Sequence, residues 1–378
     1  MSLAGEKPWN SAASIRLLLD TCRLGISVRK IGVLTFHRCI NYGSYWQARC
    51  LVEGLGSMGH DAMLLEYQSR RVDRAEWKCA LRPVPNENGD HALYRAKIRK
   101  FFRSIAALPL SEPFPLEAAP RTEDFDLVLI GSDEVWNLKH PWYGGSLLFY
   151  GEGFRSSRLA SYAASFGNQT SSVGMDGLWT DKLLSFADIS VRDLNSARLI
   201  RDLLGYEPEL VLDPCLQFPQ VIAATEKVDP ERDYIALYGH GFPLWFQRSV
   251  RAWAREKGYP LVSIGYRNDW ADRQWIDAGP EEFAGFIAGA RAVATNFFHG
   301  CVFALVHGRP FACVLSDYRS NKIRDLTTLI GADRRLVTEE NASMDLPKAL
   351  EYPPEQAISE RIAALRRNSN DYLLHVTR

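Results

Sequence analysis

Short apolar runs alternate with stretches of helical period along most of the chain. Ile31 to Thr35 reads as a buried first strand, Phe36 to Gly43 as a loop, and about Ser44 to Met58 as a helix that Gly59 ends. Ala62 to Tyr67 follows as a second strand, so the chain opens as a β-α-β unit with a parallel sheet. The clearest strand is Phe125 to Ile130, with others at Leu159 to Ala163, Ile189 to Val191 and Leu210 to Leu212. Helical stretches near Met175 to Ser185 and Ser196 to Leu203 separate them. A second alternation starts at Tyr234 to Tyr238 and runs through a helix at Leu244 to Glu256, a strand at Leu261 to Tyr266 and a helix at Pro280 to Ala290. Then come the strand Ala292 to Thr295, a helix after His299, the strand Phe311 to Leu315, a helix at Lys322 to Leu329 and a long amphipathic helix at Pro354 to Leu374.

Two segments break the alternation. Gln68 to about Arg121 is basic and irregular, and reads as an insertion carrying one helix near Leu93 to Ala107. Phe218 to Asp233 has no periodicity and contains Pro219 and Pro230, which marks it as a linker. The expected organisation is α/β: a Rossmann-like domain at 1–217 with the insertion at about 68–121, the linker at 218–233, and a second Rossmann-like domain at 234–378 that includes the C-terminal helix. Ligands of such sheets bind beyond the carboxyl ends of the strands, so a ligand cleft is expected between the two domains.

At 378 residues the chain is long enough for two cores, and 46% hydrophobic with 24% charged residues is ordinary for a globular protein. Lys plus Arg equals Asp plus Glu at 45 each, so no global charge gathers nucleic acid or an anionic surface. Seven scattered cysteines without a C-x-x-C pair disfavour zinc and disulfide frameworks, and no metal is expected. Arg16, Asp20 and Arg23 interrupt the apolar group Leu17 to Leu19, so Ser14 to Leu24 reads as an amphipathic helix on the first domain. A cytoplasmic location and no membrane span are the expectation, with peripheral contact to a lipid-linked acceptor left open, while oligomeric state is not signalled.

The phosphate loop, the dinucleotide glycine fingerprint, the H-E-x-x-H pair and the G-x-S-x-G elbow do not occur. Four polar groups remain. Asn41, Gly43 and Gln47 sit at the first β-α turn, Ser132 and Asp133 follow the strand ending at Ile130, Arg192 and Asp193 follow Val191, and Asn296 to Gly300 follow Thr295. His299 is expected near an electropositive helix N-terminus that favours an anion and holds the imidazole pKa somewhat low. The competing reading is an ordinary helix start, capped by Thr295 or Asn296, with His299 packed in the core.

As an ordered set these residues resemble the polysaccharide pyruvyl transferase family. The resemblance rests on Asn41-Tyr42-Gly43 with Gln47, Gly131-Ser132-Asp133-Glu134-Val135-Trp136-Asn137, Ser190-Val191-Arg192-Asp193, Asp213-Pro214 and Asn296-Phe297-Phe298-His299-Gly300, with a weaker match at Ser320 to Arg324. It implies a GT-B-like fold and transfer of pyruvate from phosphoenolpyruvate onto two sugar hydroxyls, giving a cyclic ketal, with no separate cofactor. The residue types suit that chemistry. Histidine exchanges protons near neutral pH, and Arg192 with Lys322 would hold the anionic donor. His299, Arg192 and Asp133 are thus the expected catalytic group, with Asp133 as a second candidate base. Asn41, Gly43, Gln47, Ser132, Asn296, Gly300 and Lys322 are the expected substrate ligands.

The sequence departs from the family at one place. Where another branch reads Arg-Leu-His, this chain has Phe297, Phe298 and His299, so the donor cation is expected from Arg267, Arg319, Lys322 or Arg324. Other readings are a GT-B glycosyltransferase using a nucleotide sugar, or a non-catalytic saccharide-binding relative. In the last, Trp136, Trp142, Tyr143, Trp245, Trp270 and Trp275 would stack on sugar rings.

Overall fold

The structure is a computed structural model that describes residues 28–83, 89–118, 124–154, 158–170, 175, 177–225, 228, 233–316 and 320–378. The helix expected at Ser14 to Leu24 lies outside these residues, as does Arg319.

The first half runs β1 (Lys30–Leu34), α1 (Tyr42–Ser57), β2 (Asp61–Leu64), β3 (Tyr67–Gln68), α2 (Arg70–Leu81), α3 (His91–Ala106), β4 (Phe114–Pro115), β5 (Leu127–Ile130), β6 (Arg158–Ser161), α4 (Leu178–Leu184), β7 (Ser190–Val191), α5 (Leu194–Leu204), β8 (Glu209–Leu210), α6 (Pro214–Gln217) and α7 (Pro219–Ala223). Its main sheet is parallel in the order β2-β1-β5-β6, with Ile31 opposite Ala62 on one side and Leu127 on the other. The second half runs β9 (Ile235–Tyr238), α8 (Leu244–Lys257), β10 (Leu261–Ile264), β11 (Arg273–Trp275), α9 (Pro280–Gly289), β12 (Ala292–Thr295), α10 (Phe298–Val306), β13 (Phe311–Cys313), α11 (Ser320–Ile330), α12 (Ala342–Glu351) and α13 (Gln356–Val376). Its five parallel strands follow the order β11-β10-β9-β12-β13. The central strands β5, β9, β10 and β12 are buried at every residue, which is why they read as unbroken apolar runs.

Three expectations change. The insertion carries a second helix, α2, where the sequence shows no clear apolar stripe. Val72 is its one fully buried residue, and the helix is fastened instead by polar contacts of Asp73 and Glu76. The linker is partly a packed element, because α7 buries Val221 and Ile222, and Phe218 lies against the backbone of Gly54. The C-terminal helix α13, assigned by chain order to the second domain, reaches back to the first half. Tyr372 Oη donates to Ser161 O at 2.7 Å, and Ser369 Oγ accepts from Leu212 N at 2.8 Å.

Helix α3 crosses between the two sheets. Lys100 pairs with Asp277 and Glu282, Ser104 donates to Glu281, and the buried Lys97 donates to Gly265 O at 2.9 Å. Among the described residues no carboxylate pairs with the Lys97 ammonium; it lies 4.7 Å from the Tyr42 ring and 4.3 Å from the Tyr266 ring. Burial pushes its pKa down to about 7. The Tyr266 ring also lines the cavity described next.

Candidate functional site

Residues at the carboxyl ends of β1, β5, β9 and β12 face a single cavity of about 200 Å³. One wall comes from the turn into α1. Asn41 caps this helix, its Oδ1 accepting from Gly43 N at 2.8 Å and Ser44 N at 3.3 Å. Ser44 Oγ then donates to Asp133 Oδ2 at 2.8 Å. Gly43 is needed for a different reason: a Cβ there would stand 1.9 Å from His299 Nδ1. Gly43→Ala is therefore expected to displace the imidazole and cut turnover by roughly a hundredfold, since misplacement of about 1 Å has that effect. Steady-state rates check this, and an unchanged rate would remove Gly43 from the positioning of His299.

Gln47 and Ser132, expected as substrate ligands, are sealed beneath this wall. Ser132 Oγ donates to Gln47 Oε1 at 2.9 Å, Gln47 Nε2 donates to Thr35 Oγ1 at 2.9 Å, and all three residues are fully buried. They join the β5 turn to α1 and do not line the cavity. Past that turn Asp133 adopts a left-handed backbone, φ +77°, which places its carboxylate between Ser44 and Arg192.

Arg192 departs from its expected role too. Its side chain is 2% exposed, with one terminal nitrogen 3.0 Å from Asp133 Oδ1 and the other 2.9 Å from Asp213 Oδ2. The guanidinium also lies 5.1 Å from the centre of the Phe298 ring. The fork that was to grip an anion is occupied by two carboxylates, so Arg192 orients Asp133 and Asp213. Asp133 in turn is a poor base. Burial opposes its charge, but Arg192, Lys322 and His299 outweigh burial and hold its carboxyl far below the usual range. Asp193 caps α5 through Ser196 N at 2.7 Å.

His299 stands in the first turn of α10, whose N-cap is Phe297 without a capping side chain. Neither Thr295 nor Asn296, the expected caps, is the N-cap residue, though Thr295 Oγ1 accepts from Phe297 N at 3.0 Å. Thr295 Oγ1 donates to Tyr238 O, and Asn296 Nδ2 donates to His240 O at 2.8 Å behind the cavity. Gly300 lets this turn sit on β12, because a Cβ there would meet Thr295 Oγ1 at 2.1 Å. The helix end does not lower the histidine, contrary to expectation. Burial would lower it, but Asp213, whose Oδ2 lies 3.6 Å from Nε2, together with Cys215 pushes it up to about 9. A full carboxylate charge at that range outweighs the partial charge of a helix end.

Lys322, on α11, pairs with Glu134 across the cavity and is the one of the four proposed donor cations that lines it among the described residues. Arg267 pairs with Asp90 and Asp269 away from the cavity, and Arg324 is exposed. Asp133, Glu134 and Asp213 thus face Arg192, Lys322 and protonated His299, and their formal charges cancel. The aromatic residues Phe36, Tyr238, Tyr266, Phe297 and Phe298 form the remaining wall. Ligand atoms of Asp213, Cys215 and His299 lie within 4.8 Å of one another, close enough to hold a metal ion. The Asp213 oxygens are already engaged by Arg192 and by Cys215 N at 3.0 Å, so the cluster is charge-compensated by the protein itself.

Residues 41–318 match the polysaccharide pyruvyl transferase family. The chain belongs to that family. No curated protein matches the sequence. Among solved structures, a UDP-N-acetylglucosamine 2-epimerase aligns with TM-score 0.52 at 12% identity, covering 93% of this chain and 96% of that one. A Listeria monocytogenes protein described as a UDP-N-acetylglucosamine 2-epimerase aligns with TM-score 0.51 at 12% identity, covering 92% and 95%. At that identity the likeness concerns the fold, the GT-B-like pair of Rossmann-like sheets.

In this pyruvyl transferase relative the cavity also holds residues the sequence does not name as ligands or catalysts: Ser44, Glu134, His140, Tyr238 and Tyr266. Ser44 and Glu134 directly follow motif residues, which is the signal that finds them. His140 has no such marker. Its Nδ1 accepts from Trp142 N and Tyr143 N at 3.3 Å each, which leaves the proton on Nε2, and burial lowers its pKa. Trp136 and Tyr143, expected to stack on sugars, are core residues, and the Trp136 indole donates to Phe149 O.

Proposed function

We propose that the chain transfers pyruvate from phosphoenolpyruvate to two hydroxyls of a sugar, in a cell-surface polysaccharide or its lipid-linked precursor, and acts in the cytoplasm. The observation that carries this reading is that His299, in the first turn of α10, lines the cavity together with Lys322; Asp213 and Cys215 push its pKa up to about 9, which favours the charged form. An anionic donor would meet the positive N-terminal end of α10 and the Lys322 ammonium once Glu134 yields it. His299 would give its proton to the methylene carbon as the first sugar oxygen bonds to the enol carbon. Phosphate then leaves, and the second hydroxyl adds at the same carbon. Of the two hydroxyl protons, one replaces that lost by His299 and the other leaves on phosphate, so the step balances. Arg192 contributes by orienting Asp133 and Asp213.

The test is a phosphoenolpyruvate-dependent phosphate-release assay over a panel of hexosides and lipid-linked sugars, paired with thermal shift. Phosphate release that requires both substrates is expected. A ligand at 100 times its dissociation constant stabilises by about 2.7 kcal/mol. Absence of release and of any shift with phosphoenolpyruvate, together with a clear shift from UDP or GDP, overturns the proposal in favour of a nucleotide-sugar enzyme.

A further inference from the structure

In the insertion the described acids are engaged with the protein while most of the bases are exposed. From Arg70 to Arg103 the sequence holds ten Lys and Arg against four Asp and Glu, in a chain whose net charge is zero. The described acids of this segment are all engaged with the rest of the protein. Asp73 pairs with Arg38, Glu76 accepts from Ile40 N and from the Trp142 indole, and Asp90 pairs with Arg267. Eight of the ten bases point outward, Lys97 and Lys100 being the exceptions. Arg70, Arg71, Arg74, Lys78 and Arg82 along α2, and Arg95, Arg99 and Arg103 along α3, are exposed and form no ion pair with a described residue.

The same two helices expose large apolar side chains: Trp77 at 47%, Leu93 at 39% and Phe102 at 41%. A basic face that serves only solubility has no use for an exposed tryptophan and phenylalanine. The combination is that of a surface lying in a lipid interface, where cations meet anionic headgroups and aromatic rings enter the boundary of the acyl region. We infer that α2 and α3 dock this protein on an anionic lipid bilayer. This goes beyond the proposed reaction and does not depend on it. Among the described residues no helix is long and apolar enough to cross a membrane, so the contact is peripheral.

The position of the face relative to the cavity is part of the argument. Glu76 of α2 braces Ile40, next to the cavity residue Asn41, and Trp142, next to the cavity residue Pro141. Lys97 of α3 braces Tyr42 and Tyr266. The docking helices and the cavity mouth therefore form one continuous framework, which would present the cavity to a saccharide carried on a lipid.

The experiment is co-sedimentation of the full chain with vesicles of phosphatidylglycerol and phosphatidylcholine, and with phosphatidylcholine alone, over a range of salt. Binding is expected only to the anionic vesicles and is expected to fade with salt. R74Q, K78Q, R99Q and R103Q combined should weaken it about 600-fold, since each cation near such a surface contributes roughly fivefold. W77S with F102S should weaken it with charge intact, and the melting temperatures of both variants should match the parent. Failure to bind anionic vesicles, or loss with the charge variant but not the aromatic one, overturns the inference; the latter marks a soluble polyanion as the partner. Phosphate release measured on a water-soluble acceptor separates these outcomes from failure of the proposed reaction.

Discussion

His299→Gln is expected to lower turnover by a hundredfold or more while leaving the fold intact, because proton transfer by a positioned side chain contributes about 10²- to 10⁴-fold. Glutamine keeps the volume of the site and donates a hydrogen bond but exchanges no proton. The pH profile makes the prediction sharper. With its pKa pushed up to about 9, His299 is charged at neutral pH and suited to act as an acid. The rate of the parent should fall as pH rises through about 9, and the small residual rate of the variant should lack that limb. Stability follows the same group. A pKa raised from 6.5 to about 9 contributes stability that is complete below 6.5 and is lost as pH rises toward 9. Chemical denaturation at several pH values should show this slope in the parent and a flatter one in the variant. A variant that keeps more than about a tenth of the parent rate removes His299 from the chemistry.

Arg192→Met is expected to have the largest effect on stability, a loss of about 3–5 kcal/mol, because it strands two buried carboxylates. Methionine fills much of the space and still packs on Phe298, so the loss reports charge more than volume. The sign with pH distinguishes this from a packing defect. In the parent, Asp133 and Asp213 are held ionised, so their contribution is present above the usual carboxylate pKa and disappears as pH falls through their depressed values. In the variant the same carboxyls, buried without a cation, would take up protons at higher pH. The stability gap between parent and variant should therefore narrow as pH is lowered toward 4, which urea titrations would measure. A gap that stays constant with pH would show that the two ion pairs do not determine the effect. Arg192→Lys should recover only part of the loss, since a single ammonium cannot bridge two carboxylates as the planar fork does.

Much of the fold was legible because buried parallel strands leave an unbroken apolar signature. Leu127 to Ile130 and Ala292 to Thr295 have no solvent face, so their sequences carry no alternation to misread. Helix α2 was not legible, because one buried residue and two polar anchors hold it, and polar anchors leave no periodic mark. The long helix α13 was recognised by its period, yet its partners Ser161 and Leu212 lie far away in the chain.

The candidate site divides along the same line. Sequence by itself determined the two-sheet α/β class, the family, and which loops gather at the strand ends, because each follows from local pattern and the rule that open sheets bind ligands there. Only the tertiary structure decided the roles. Arg192 and Asp213 are 21 residues apart, and Lys322 and Glu134 are 188 apart; which charges meet is a matter of packing. Packing turned Arg192 from an anion fork into a brace, buried Gln47 and Ser132, and selected Lys322 over Arg267 and Arg324 at the cavity. It also reversed the sign at His299. A helix end acts over a single turn and can be read from sequence, whereas the Asp213 carboxylate that overrides it arrives from the N-cap of α6, distant in the chain.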